Sequence, residues 1–191
     1  MNLSAVILAG GQSSRMGRDK AWIEIDGQPL ITRAVRTVRD SGISEIFISG
    51  RAGTDYSPLR CPVLLDLNSG FGPIAGIERA LDATQAPLML VLAVDLPRMT
   101  AAFLHKLAAQ CDPLTGAIPK LNGEIEPLAA IYPKRCRFFA RDCLLKFSHA
   151  ARDFAHACLR EHAVRSFRVQ NTDTPCFENW NRSSDVTAPT C

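Results

Sequence analysis

Residues 7–20 read ILAGGQSSRMGRDK, an apolar run that breaks into Gly10 and Gly11 and then carries Arg15, Arg18 and Lys20. Glycines let a backbone approach a ligand closely and turn several N–H groups toward it, an arrangement that favours phosphate. Arg15 and Lys20 supply the charge to neutralise a triphosphate and to stabilise a departing pyrophosphate. The stretch is neither GxxxxGK[ST] nor GxGxxG, so its pattern also fits a tight turn followed by a solvated basic loop. Asp95, in AVDLP, offers a single carboxylate at the end of a second apolar run. Mg²⁺ binds through one or two carboxylates plus substrate phosphates, which suits Asp95, although a turn before Pro97 would use the same residue. Asp66 in VLLDL suits a second polar ligand for substrate or metal, or a turn residue, and Ser49 in IFISG suits a base contact or, by default, a turn. SGFGPIAGI, residues 69–77, puts glycines on both sides of a helix start. Free N–H groups there attract anions, and a tight loop gives the same pattern.

In open α/β sheets, ligands bind beyond the carboxyl ends of the strands. Hydrophobic patterning predicts strands over Ala5–Leu8, Glu45–Ser49, Val63–Asp66, Leu88–Val94, Gly116–Pro119, Pro127–Ile131 and Phe167–Val169. It predicts helices over Leu30–Ser41, Pro73–Thr84, Thr100–Gln110, Arg135–Phe147 and Ala150–Glu161. Strands that are apolar throughout imply a sheet covered on both faces. Their alternation with helices over the first 110 residues implies a mostly parallel, three-layer α/β sheet with right-handed crossovers. Pro29 and Pro73 sit where a first-turn proline would, and Thr100 suits an N-cap. The polar ending NRSSDVTAPTC is expected to fray.

At 191 residues the chain suits one domain, and a net charge of +3 does not by itself imply a nucleic-acid partner. The longest apolar run, APLMLVLAV, is about half of the ~20 residues that a membrane span needs, and no signal-peptide pattern opens the chain. Seven cysteines, an odd number without CxxC, suggest a reduced, cytoplasmic protein. Cys136 with Cys143, and His149 with His156, have no zinc-ligand spacing and read as core or surface residues. No GxSxG supports hydrolase chemistry.

Taken in order, LAGG, RMG with Asp19 and Lys20, GPIAGI, VDLP, GEIEPLAAIYP and FENWN resemble the molybdenum cofactor guanylyltransferase (MobA) family over residues 5–186. The resemblance implies a Rossmann-like nucleotidyltransferase fold in a single domain, residues 1–191. Its nucleotide half would span about residues 1–110 and its acceptor half about 111–186. The implied reaction transfers GMP from Mg-GTP to the terminal phosphate of molybdenum-loaded molybdopterin, with cofactor-insertion proteins or chaperones as further partners. Leu8, Ala9, Gly10 and Gly11 match the nucleotide loop, with Arg15 beside it and Lys20 as the phosphate-contacting lysine. Ser49 stands where members often carry Asn near the guanine. Asp66 and Asp95 match two acidic positions, Asp95 as the Mg²⁺ ligand, and Asn179 and Asn181 match a pair on the pterin side. The chain departs from the family at Ser49 and at Arg182–Asp185, where members usually continue Thr-Pro-Glu-Asp. QNTDTP offers a competing alignment through Asn171; Phe177 favours Asn179 and Asn181 by spacing. Rivals are cytidylyl transfer to the same cofactor, whose enzymes tend to carry LAAG, and sugar-1-phosphate nucleotidyl transfer, which usually shows GxGTR. A non-catalytic nucleotide-binding paralogue is a third, against which Lys20 and Asp95 both argue.

Overall fold

Ala5, Val6, Ile7 and Leu8 are all buried because helices cover both faces of the strand that contains them. The computed structural model describes residues 2–10, 20–65 and 71–179. Gly11, Arg15, Asp66, Asn181 and the chain ending from residue 180 lie outside the described residues. The strands among the described residues are β1 (Leu3–Leu8), β2 (Glu24–Ile25), β3 (Gln28–Pro29), β4 (Ile46–Gly50), β5 (Val63–Leu65), β6 (Leu88–Ala93), β7 (Gly116–Leu121), β8 (Glu124–Ile125), β9 (Ala129–Pro133) and β10 (Val164–Arg168). The helices are α1 (Leu30–Asp40), α2 (Gly72–Ala83), α3 (Ala101–Ala108), α4 (Arg137–Leu145) and α5 (Ala151–Arg160).

The main sheet has the order β10-β7-β9-β6-β1-β4-β5, with β8 folded back onto β7. β6, β1, β4 and β5 are mutually parallel, and β10 is parallel to β7. β9 runs antiparallel to both of its neighbours. Alternate residues of β1 serve opposite layers. Ala5 and Ile7 join the core under α1 and α3, whereas Val6 and Leu8 join the core under α2, α4 and α5. This is the expected three-layer, mostly parallel α/β architecture.

The departures have local causes. Asp26 (φ +52°) and Gly27 (φ +73°) form a two-residue turn between β2 and β3. Asp-Gly is a strong signal for such a hairpin, and the strand pattern above omits it. Pro29 therefore ends β3 and stands one residue before α1, as its N-cap, instead of in its first turn. The expected helix over 135–147 divides into a 3₁₀ turn, Lys134–Cys136, and α4. β9 begins at Ala129, two residues after the expected Pro127. Only residues 122–128 separate it from β7, too few for a parallel crossover, so it returns antiparallel.

Thr100 does cap α3: the Phe103 N–H donates to Thr100 Oγ1 at 3.1 Å. Thr100→Ala is expected to cost about 1 kcal/mol. Thermal denaturation should show Tm lower by about 2–4 °C, and an unchanged Tm would refute the cap. Cys136, Cys143 and Cys158 are free thiols buried in the α2, α4 and α5 layer. No helix among the described residues is long and apolar enough to cross a membrane.

Candidate active site

From β1 the chain runs outward through β4 to β5, then returns to lay β6 on the other side of β1. Strand order thus reverses between β1 and β6, and a crevice opens beyond their carboxyl ends. A cleft of about 570 Å³ lies there. Leu8, Ala9 and Gly10 at the end of β1 form part of its wall, with Val94, Asp95 and Leu96 beyond β6.

Lys20 reaches the cleft from a 3₁₀ turn, Lys20–Trp22, that is anchored by its neighbours. Ala21 is fully buried, and the Trp22 ring stacks on Tyr56 with centroids 6.3 Å apart. Lys20 Nζ donates to Asp95 Oδ2 at 2.9 Å, joining two residues 75 positions apart. Their side chains are 15% and 22% exposed, so the pair is shielded from bulk water but open to a ligand from the cleft.

The Ala9 and Gly10 N–H groups both donate to the Ser49 carbonyl, at 2.9 and 3.0 Å. They therefore tie β1 to β4, and the expected inward-pointing phosphate nest is not made from these two donors. Among the described residues, a Cβ on Gly10 would meet nothing closer than Ser49 O at 3.7 Å, an ordinary contact. Packing among the described residues does not require glycine at this position, and the missing side chain leaves room beside the cleft. Ser49 itself is 5% exposed and lies outside the cleft wall. Its hydroxyl faces α2, where Gly76 leaves it room; a Cβ there would collide with Ser49 Oγ and stand 3.0 Å from its Cβ. The Ser49 carbonyl ties β4 to β1 by accepting from the Ala9 and Gly10 N–H groups, while its hydroxyl lies against α2.

Asn179 lines the cleft, whereas Asn171 lines a separate pocket with Lys120 and Arg168. Asn179 is held at the rim by the segment before it. Phe177 sets its ring edge-on to Phe103 at 5.0 Å, Asp173 pairs with Lys106 at 2.9 Å, and Glu178 pairs with Arg98 at 2.8 Å.

Four titratable cleft residues escape the sequence reading: Arg51, Glu126, His149 and Arg152. Arg51 follows β4 directly, the kind of position that the carboxyl-end rule selects. Glu126 precedes β9, and an antiparallel strand presents its start to the cleft. Burial raises the Glu126 carboxyl above the usual carboxylate range; Arg152 opposes the shift and Glu124 adds to it. Arg152 pairs with Glu124 at 2.8 Å. His149, read from sequence as a core or surface residue, is wedged between the starts of α2 and α5. Phe71 lies edge-on to its ring at 4.9 Å, and a Cβ on Gly72 (φ +62°) would stand 3.0 Å from its carbonyl oxygen. His149 Nε2 is buried without a hydrogen-bond partner among the described residues.

No group of three or more His, Cys, Asp or Glu that could hold a metal ion occurs among the described residues. Asp95 is a hard oxygen donor beside space for a polyphosphate, which fits a divalent cation shared with substrate phosphates.

This sheet, with its cleft at the strand reversal and a lysine–carboxylate pair on the floor, has the architecture of a nucleotidyltransferase. Residues 5–167 match the MobA-like NTP transferase domain, and the chain belongs to that family. It is 35% identical over 186 residues to a probable molybdenum cofactor guanylyltransferase of Opitutus terrae, covering 96% of this chain and 92% of that one. Its fold matches the crystal structure of molybdopterin-guanine dinucleotide biosynthesis protein A from Archaeoglobus fulgidus. There the TM-score is 0.74 at 23% identity, over 96% of this chain and 94% of that one. It matches 2-C-methyl-D-erythritol 4-phosphate cytidylyltransferase from Thermus thermophilus equally well. That TM-score is 0.74 at 19% identity, over 97% and 96% of the two chains. One backbone thus accommodates proteins named for different bases.

Proposed function

We propose that this protein transfers GMP from GTP to the terminal phosphate of molybdenum-loaded molybdopterin. The observation that carries the reading is the Lys20–Asp95 pair at 2.9 Å on the cleft floor, in a chain whose curated relatives are named guanylyltransferases. An oxygen of the acceptor phosphate attacks the α-phosphorus of GTP. A P–O bond forms there, the bond to the β-phosphate bridge breaks, and pyrophosphate leaves with the electron pair. The attacking oxygen is already anionic at neutral pH, so the step needs no strong base. What remains is to align two polyanions and screen their repulsion.

The residues divide that work. Lys20 exchanges Asp95 for the nucleotide phosphates. Gly10 leaves clearance for them. Asp95, released, is the protein ligand for Mg²⁺, which when bound screens charge on the reacting phosphates. Residues 1–110 handle the nucleotide, and residues 111–186 receive the pterin through Asn179 and the wall around His149 and Arg152. The dinucleotide product would pass to proteins that insert it into molybdoenzymes.

Calorimetry of GTP, CTP, ATP and UTP with and without Mg²⁺ tests the nucleotide half, followed by transfer of labelled GMP to the pterin. Mg²⁺-dependent preference for GTP supports the reading; preference for CTP overturns it. Lys20→Ala should weaken GTP binding on the order of tenfold or more, the loss of a charge-assisted contact. Unchanged affinity in this variant would remove Lys20 from the phosphate site.

A further inference from the structure

We infer that Arg51 reads the guanine base, and that its guanidinium is the specificity determinant which selects GTP in this protein. The inference rests on the guanylyl-transfer reading above and adds to it the group that recognises the base.

The topology fixes the side of the cleft on which a base would lie. The phosphate-handling pair, Lys20 and Asp95, sits where strand order reverses between β1 and β6. Beyond β6 the sheet continues into β9, β7 and β10, the part of the chain that the proposed function gives to the acceptor. The nucleoside therefore extends the other way, over the carboxyl end of β4. Arg51 is the residue that follows β4 and lines the cleft on that side. Ser49, two residues earlier, is covered by α2 and leaves the task open.

The start of the Arg51 side chain is held firmly. Its backbone N–H donates to the Tyr56 hydroxyl at 3.2 Å. The Tyr56 ring lies over Gly50, where any Cβ would strike it, and Tyr56 is only 3% exposed. Trp22, in the same turn as Lys20, stacks on that tyrosine. One aromatic brace thus positions both the phosphate lysine and Arg51. Such bracing is what a recognition group needs, because a placement error of about 1 Å at a binding site is costly.

The chemistry matches guanine. The ion pairs among the described residues engage ten cations, and Arg51 is not one of them. A guanidinium presents parallel N–H donors in a planar fork, and guanine offers two acceptors, O6 and N7, at matching separation. Adenine places an N6 amino donor where guanine has O6, so donor would face donor. Cytosine likewise turns an amino group outward.

The test compares GTP, 7-deaza-GTP and ATP by calorimetry on the wild type, Arg51→Met and Arg51→Lys, each with Mg²⁺. 7-Deaza-GTP keeps O6 and every phosphate but lacks the N7 acceptor. The wild type should bind GTP on the order of ten- to a hundredfold better than ATP, and about tenfold better than 7-deaza-GTP. Arg51→Met should bind GTP and 7-deaza-GTP equally, both weakly, with ATP affinity unchanged. Arg51→Lys should restore little of the preference, because an ammonium has no fork. Equal losses for GTP and ATP in Arg51→Met would overturn the inference and make Arg51 a phosphate contact. Unchanged GTP affinity in that variant, with a wild type that still prefers GTP, would overturn the inference alone. A wild type that prefers CTP would overturn the guanylyl-transfer reading and this inference with it.

Discussion

Asp95→Asn should abolish Mg²⁺-dependent turnover and leave the fold standing. The substitution keeps the shape of the side chain and removes its charge. Losing one group that stabilises charge in the transition state costs about 10²–10³-fold in kcat, and losing a carboxylate proposed to hold the cation should cost at least that. Stability should change little, because Asp95 lies in the turn after β6 and its pairing with Lys20 is partly exposed. The shift in Tm should stay within about 2–4 °C. A purely structural role for the pair predicts a different pattern. Lys20→Ala combined with Asp95→Asn would then lose no more than either change alone, since both remove one interaction. Separate roles on phosphate and metal instead give a double variant weaker in GTP binding than Asp95→Asn and no faster. Wild-type turnover by Asp95→Asn at saturating Mg²⁺ would sink the metal assignment.

The parts legible in the sequence are those set by local pattern. β1 and β6 are runs of apolar residues, and both prove to be central strands covered on each face. Thr100, with the apolar spacing after it, announces α3. The carboxyl-end rule draws attention to Gly10 and Asp95, and both line the cleft. What stays hidden depends on strand direction and on close approach. The rule points to residues after a strand, and it fails at β9, where an antiparallel return brings Glu126, Pro127 and Leu128 to the cleft from before the strand. Matching by position selects Ser49, but alternation along β4 and the gap left by Gly76 turn its hydroxyl toward α2. The same matching passes over Arg51, further along that segment. The Lys20–Asp95 pair spans 75 positions, and no local pattern announces a contact of that range. Each half of the pair is nonetheless singled out by its residue type and its place near a strand end.

Gly116→Ala should be among the most destabilising single-atom additions in the chain, for a reason that no local signal conveys. Gly116 opens β7, and its φ lies outside the left-handed region, so alanine meets no conformational barrier there. The obstacle is β9. An added Cβ would fall on the Ile131 carbonyl oxygen and stand 2.8 Å from the carbonyl carbon and 3.0 Å from Pro133 Cδ. Ile131 is 1% exposed and paired through β9 to Leu90 of β6, so its backbone cannot retreat without opening the sheet. Gly116 is held from its other side, where its N–H donates to the Ala163 carbonyl at 3.0 Å. Overpacking typically costs about 1–3 kcal/mol, and a clash with fixed backbone belongs at or above the top of that range. For a chain of this size, a loss of about 3 kcal/mol lowers Tm by roughly 6–12 °C. Gly10→Ala is the matching control, since among the described residues its Cβ would come no closer than 3.7 Å, to Ser49 O. It should hold Tm or raise it slightly through a less flexible unfolded chain, while the new methyl group narrows the cleft and weakens GTP binding. The two variants should therefore part company. Gly116→Ala should lose stability and, below its melting range, keep its GTP affinity, whereas Gly10→Ala should lose affinity and keep its stability. A Gly116→Ala protein that melts with the wild type would show that β7 and β9 pair less closely than this geometry requires. A Gly10→Ala protein with full GTP affinity would show that the nucleotide does not approach the end of β1.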